Sequence, residues 1–268
     1  EFSSPVTCIV GYNSIAFDDE YTRHTLFRNF LDPYTWHWQN GNARWDILNV
    51  ARFCYAHKEE GSLNWVKNEK NRPIFKLDRL APANNIEHAN AHDALADVRA
   101  TIGIAKIIKK TQPKLFDYAL SLNDKKEVGK LVKPLHPMLL TSSSFGYKSS
   151  FTRLVTAICN HPEYNDRAIV FNLNQDPEIF LELETEELKT LTFSRKSDLP
   201  KGIEKIDLSE LVYNKSPMFV CSPNSDNFKI SPILIDKFQL NLEKCLKNLR
   251  FIQQNRQSIE DTVRAIYK

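Results

Sequence analysis

His92 and Asp97 stand five residues apart in the run Ala91-His92-Asp93-Ala94-Leu95-Ala96-Asp97, separated mostly by small side chains. Apolar residues recur at helical spacing across 94–108 (Leu95, Val98, Ile102, Ala105, Ile108), so the pattern predicts a long helix. Five steps of about 100° would put the two polar side chains on different faces if both lay inside it. With Asp93 as the cap, His92 falls in the preceding loop and Asp97 in the first turn or so. Both then reach one point in front of the helix, where Ala94 and Ala96 leave room for a substrate. Taken alone, the run also reads as a capped amphipathic helix whose acidic first turn is favoured by the macrodipole.

A further acid lies upstream. Residues 6–10 form a short apolar, β-branched run, the pattern of a strand buried on both faces, and Gly11-Tyr12-Asn13 ends it in a turn. Phe17-Asp18-Asp19-Glu20 then opens a helix to about residue 31, with Phe17, Tyr21, His24, Leu26, Phe27 and Phe30 on its apolar side. Ligands of α/β sheets bind outside the C-terminal ends of strands, so Asp18 is expected to face a crevice and not the core.

Residues 23–55 hold three of the chain's four tryptophans and a high density of arginines. Trp45 leads into an apolar helical run and reads as core. Tyr34, Trp36 and Trp38 alternate in a loop between Asp32-Pro33 and Asn40-Gly41, where core packing explains them poorly. Aromatics interleaved with cations suit a single-stranded nucleic-acid groove, where bases stack on rings at ~1–3 kcal/mol each and cations follow phosphates. Core and binding surface stay open as readings of this cluster.

The elements that would position these groups belong to an ordinary globular chain of 268 residues with net charge +3. Seven glycines without a Gly-rich loop count against a P-loop or dinucleotide-binding enzyme. No apolar run approaches the ~20 residues of a membrane span and no signal-peptide pattern is present. Five cysteines, odd in number and never spaced Cys-x-x-Cys, predict reduced thiols in a cytoplasmic protein. Residues 58–74 read as a polar loop, residues 75–80 begin a short helix ended near Pro82, and the long helix ends at Gln112-Pro113. Eight lysines against three acids follow across 106–133, which places the domain boundary just after Pro113: a first domain of residues 1–113 and a second of 114–268. In the second, strands are expected at 138–140, 153–159, 168–173 and 218–221, an acidic helical segment at 176–192, and a helical tail at 233–268.

Joined together, Asn13-x-x-x-Phe17-Asp18 after a strand and His92-x-x-x-x-Asp97 at a helix start resemble the second and third motifs of the DEDDh exonuclease superfamily. The runs from Gly11 to Glu20, Tyr34 to Trp38, Arg44-Trp45-Asp46 and Glu87 to Asp93 look like the bacterial exodeoxyribonuclease I family. Phe145-Gly146 and the Asn160-His161-Pro162-Glu163 turn are similar to that family's SH3-like domain. The resemblance implies an α/β ribonuclease-H-like exonuclease domain followed by a β-rich SH3-like domain with a helical tail. It implies 3′–5′ degradation of single-stranded DNA to mononucleotides, in DNA repair and recombination, by two Mg²⁺ ions ~3.5–4 Å apart.

By the same resemblance Asp97 ligates a metal directly, Asp18 supports the second largely through water, and His92 is the base for the attacking water, so that activity falls as His92 protonates. Arg23, Tyr34, Trp38, Arg52 and Lys76 are expected on the DNA path, although a lysine at 76 cannot make an arginine's bidentate phosphate contact. The family also implies a monomer without membrane association. It further implies a contact with the acidic C-terminal tail of the single-stranded DNA-binding protein, for which the lysine-rich stretch after Pro113, near Tyr118, is a reasonable place. The family's first motif, Asp-x-Glu, is absent, as is its C-terminal helical domain. The chain therefore reads as an N-terminally truncated internal fragment, inactive by itself. Two alternatives stay open: a non-catalytic single-stranded DNA-binding module, and a related DEDDh exoribonuclease, against which the appended β-rich domain stands.

Overall fold

The computed structural model describes residues 4–87, 93–221 and 229–268; His92 lies outside them. The chain divides into two compact units. The first is Glu1–Glu127 with Thr141–Phe151 and Asn214–Met218; the second is Val128–Leu140 with Thr152–Tyr213 and Phe219–Lys268. The division thus runs through several segments, where the sequence suggested one break after Pro113.

In the first unit, β1 (Cys8–Gly11) leads through a turn to α1 (Asp18–Arg28), and β2 (Ala43–Asp46) runs directly into α2 (Ile47–Lys58). β1 and β2 pair in parallel, with Gly11 opposite Asp46. α2 carries the densest part of the core, including Ile47, Val50, Ala51, Phe53 and Cys54. Residues 58–74, expected as loop, contain a small hairpin of β3 (Val66–Lys67) and β4 (Pro73–Ile74). Its turn is built by Asn68, whose side-chain oxygen accepts from the backbone N–H of Lys70 and of Arg72, both at 3.0 Å. Two-residue strands are too short to show alternation.

α3 (Leu77–Ala83), α4 (Ala94–Thr111) and α5 (Pro113–Ser121) complete the unit, with α4 packed against α2, α3 and α5. The Trp45 indole donates to the Ala119 carbonyl at 3.0 Å and meets the Phe116 ring edge-on at 5.1 Å, so α5 packs with the residues before it.

Three faces expected to be buried are open. β1 starts at Cys8 and is nowhere fully buried; Val6, with φ 63°, lies outside the strand. Among the described strands β1 pairs with β2 alone, which covers one edge. α1 buries only Asp19, leaving Phe17, Tyr21, Phe27 and Phe30 exposed. α4 buries Ala100, Thr101, Ile104 and Ile108; of the expected stripe, Ile108 is buried and Ala105 part-buried, whereas Leu95, Val98 and Ile102 are about half exposed. α4 is apolar on two sides, and its neighbours cover the side centred on Ile104.

The second unit begins within α6 (Lys125–Leu131) and is built on a five-stranded sheet. Its strands are β5 (Pro137–Thr141), β6 (Thr152–Asn160), β7 (Arg167–Asn172), β8 (Leu208–Val212) and β9 (Met218–Cys221), in the order β8-β7-β6-β5-β9. β6, β7 and β8 pair antiparallel, and β8 is the strand the sequence pattern did not reveal. α7 (Ile179–Glu182), α8 (Thr185–Phe193), α9 (Pro232–Lys237), α10 (Leu242–Gln254) and α11 (Arg256–Ile266) complete it. α11 packs on β6, α7 and α8, and buries Ile259, Val263 and Ile266. None of the five cysteines is in a disulfide, and no described helix is long and apolar enough to cross a membrane.

Candidate nucleic-acid and metal site

The turn after β1 is held by one carboxylate. Asn13 takes φ 64°, a left-handed conformation asparagine tolerates. Its N–H donates to Asp46 Oδ1 at 2.8 Å, the Ile15 N–H donates to Oδ2 at 3.2 Å, and the Leu48 N–H donates to Oδ1 at 3.0 Å. Asp46 is 2% exposed. It therefore caps α2 and pins the turn leading to Asp18 in one stroke. Burial pushes its carboxyl up from the usual range, against the pull of the three backbone donors. The sequence assigned Asp46 no role; the available signal was an Asp directly before an apolar helical run. The Tyr12 hydroxyl donates to the Phe75 carbonyl, tying the same turn to the start of α3, and burial pushes this phenol up so that it stays a donor.

These ties border a cavity of about 790 Å³ whose walls include Tyr12, Asn13, Leu48, Arg52, Phe75, Lys76 and Asp97, with Ser143 and Phe151 on another side. Asp97 sits in the first turn of α4, where its N–H donates to the Asp93 carbonyl at 3.0 Å. Asp93 occupies the cap position as expected, yet its carboxylate makes no capping bond. Arg52 projects from α2, donates to Asn49 Oδ1 at 3.0 Å, and lies 5.8 Å from the centre of the Phe75 ring. Tyr55, Trp65 and Phe151 meet that ring edge-on at 5.4–5.9 Å. Lys76 is exposed at the N-cap of α3.

The structure thus brings Asp97, Arg52 and Lys76 to one cavity. Asp18 is exposed at the start of α1 and is not among its walls. Its neighbour Asp19 turns inward to a buried ion pair with Arg44, which also donates to the Asn214 carbonyl at 3.0 Å. Arg23 pairs with Glu20 and lies 5.5 Å over the ring of Tyr34, which is exposed. Trp38 is 56% exposed, which sets it apart from the buried Trp45. It borders a second cavity, of about 530 Å³, with His37, Arg44, Asn123, Lys125 and Lys126. Burial and the Arg44 charge hold His37 down at about 4, so its ring is neutral at neutral pH.

Asp97 and Asp18 are oxygen donors of the kind a hard divalent cation takes. Yet among the described residues no group of three His, Cys, Asp or Glu side chains comes together to hold a metal ion. The donors present match such an ion in type and fall short of it in number.

Comparison with known proteins gives these walls a context. The family model "Exonuclease" matches residues 1–105 and the model "Exonuclease I SH3-like domain" matches residues 123–268. Exodeoxyribonuclease I of Escherichia coli (strain K12) is 39% identical over 264 residues, covering 98% of this chain and 54% of the relative. The zinc-bound form of the E. coli ExoI–ssDNA complex superposes with a TM-score of 0.89 at 39% identity, and the ExoI/SSB-Ct complex with 0.88 at 38%. Each covers 99% of this chain and 56% of the solved one, so the chain spans about half the length of the relatives it matches. With the SH3-like match extending over more than half of its residues, the chain belongs to the exodeoxyribonuclease I family.

Proposed function

We propose that this chain is the DNA-holding part of a 3′–5′ exonuclease that degrades single-stranded DNA to mononucleotides. The observation that carries the reading is the cavity in which Asp97 stands beside Arg52, Lys76 and the Phe75 ring, a carboxylate next to cations and an aromatic face. Arg23 with Tyr34, and Trp38, extend the path as exposed cation and stacking surfaces. In the whole enzyme Asp97 and Asp18 serve as carboxylates for Mg²⁺ and His92 takes the proton of the attacking water. The described donors do not complete a metal site, and no metal-dependent step is assigned to this polypeptide alone. The reading carries with it a cytoplasmic monomer acting in DNA repair and recombination.

The 268-residue polypeptide is therefore expected to bind a labelled oligo-dT and leave it uncut in Mg²⁺. Arg23, Arg52 and Lys76 together give a log–log salt slope of about −2, at roughly −0.7 per neutralised phosphate on single strands. Mg²⁺-dependent shortening of the oligonucleotide would overturn the inactivity, and absence of binding would overturn the DNA path. Equal displacement by RNA of the same length would favour the exoribonuclease reading.

The acidic C-terminal tail of a single-stranded DNA-binding protein is the second partner proposed, on the lysines at 114, 125 and 126. Supporting this, Lys125 and Lys126 border the same basic cavity as Arg44. Reversing all three charges is expected to weaken binding of such a peptide at least tenfold; unchanged binding in calorimetry would remove the assignment.

A further inference from the structure

We infer that Arg72 and Tyr147 form an additional stacking subsite for the single strand, just outside the cavity that contains Asp97, taking the base and phosphate of one nucleotide. The inference rests on the single-strand reading above.

The two residues are 75 positions apart in sequence, yet the Arg72 guanidinium lies 4.2 Å from the centre of the Tyr147 ring. That is closer than either cation–ring pair already placed on the path, Arg52–Phe75 at 5.8 Å or Arg23–Tyr34 at 5.5 Å. Each belongs to a segment that lines the cavity. Arg72 immediately precedes Pro73, and Tyr147 lies between Ser143 and Phe151; all three neighbours are wall residues.

Both backbones are anchored. The Arg72 carbonyl accepts from Asn68 N–H at 2.9 Å, closing the hairpin turn. The Tyr147 loop is closed by Ser142 N–H to the Phe151 carbonyl at 2.8 Å, Phe151 N–H to the Gly146 carbonyl at 2.9 Å, and Ser150 N–H to the Tyr147 carbonyl at 3.0 Å.

Cation–ring pairs occur about once per 70–80 residues, so the pair by itself marks no site. Three features set this one apart. Arg72 is exposed, so the contact covers little apolar surface. Among the described residues no carboxylate pairs with its guanidinium, which leaves a full positive charge for a phosphate. Tyr147 is itself part-exposed, so its ring is not fully covered by the chain. A stacked arginine costs little to order and keeps its N–H donors directed outward, and the other side of the ring is a platform for a base.

The test is fluorescence anisotropy on the full 268-residue chain, with a labelled oligo-dT and the same oligonucleotide carrying abasic sites. Tyr147→Ala and the bulk-preserving Tyr147→Leu are expected to weaken oligo-dT binding about tenfold, while Tyr147→Phe binds like the wild type. The Tyr147 dependence disappears on the abasic strand. Arg72→Ala is expected to weaken both strands and to reduce the magnitude of the salt slope by about 0.7. Circular dichroism establishes that each variant is folded. Binding by Tyr147→Leu within twofold of the wild type, or an unchanged slope for Arg72→Ala, overturns the subsite. If Arg52→Ala still weakens binding in that case, the single-strand reading survives; a wild-type chain that does not bind overturns both.

Discussion

Asp46→Ala is expected to remove about 3 kcal/mol of stability and to weaken single-stranded DNA binding with it. Three backbone N–H groups, of Asn13, Ile15 and Leu48, lose their acceptor together. A buried donor left unsatisfied costs roughly 1–3 kcal/mol, and loss of a helix cap about 0.5–2. These do not add fully, because Asn13 is exposed and water can serve its N–H. Asp46→Asn keeps an oxygen for Asn13 and Leu48 and surrenders only the Ile15 bond, so about 1 kcal/mol is expected. Urea unfolding with a common slope checks both numbers. The binding loss follows because the pinned turn carries Tyr12 and Asn13 into the cavity wall. An Asp46→Ala protein within 1 kcal/mol of the wild type would show that the turn holds itself.

The largest effect on chemistry is expected at Asp97. In a protein extended to the length of its relatives, Asp97→Asn should lower cleavage of single-stranded DNA about a thousandfold or more, with binding nearly unchanged. The substitution conserves volume and leaves the backbone bonds of the first turn, Asp97 N–H to Asp93 and Thr101 hydroxyl to the Asp97 carbonyl, in place. What is lost is the carboxylate charge proposed to serve the reaction, where a loss of ~4 kcal/mol in transition-state stabilisation corresponds to about three decades in rate. Single-turnover kinetics alongside equilibrium binding separates the two terms. Undiminished cleavage would take Asp97 out of the site.

Local chemistry was legible in the sequence. The start of α4 at Asp93 and its end before Pro113 are written in caps and breakers. For the aromatic loop the sequence left core and surface open, and the structure exposes Tyr34 and Trp38 while part-burying Trp36. Periodicity could not say which side of α4 its neighbours would take. Leu95, Val98 and Ile102 satisfy the helical spacing as well as Ile104 and Ile108 do, and only packing distinguishes them. Asp18 and Asp19 are chemically identical neighbours, and their opposite fates depend on Arg44, 25 residues away on β2. Asp46 was readable only as a cap of α2; its hold on the turn was invisible, because that work is done on backbone N–H groups more than thirty positions upstream, and those leave no trace in side-chain identity. The hairpin of β3 and β4 and the Arg72–Tyr147 pair are likewise contacts without a period.

The cavity wall supplied by Ser143 and Phe151 has a consequence for how such proteins can change. Both residues fall within the stretch matched by the SH3-like model, yet they complete a pocket whose other walls, Asp97 included, belong to the exonuclease stretch. Insertions, deletions or substitutions in the 142–150 loop are therefore expected to reshape the pocket without altering a residue of the Gly11–Glu20 run or of α4. Exchange of the later domain for an unrelated one would strip Phe151 from the Phe75 ring and leave the pocket open on that side.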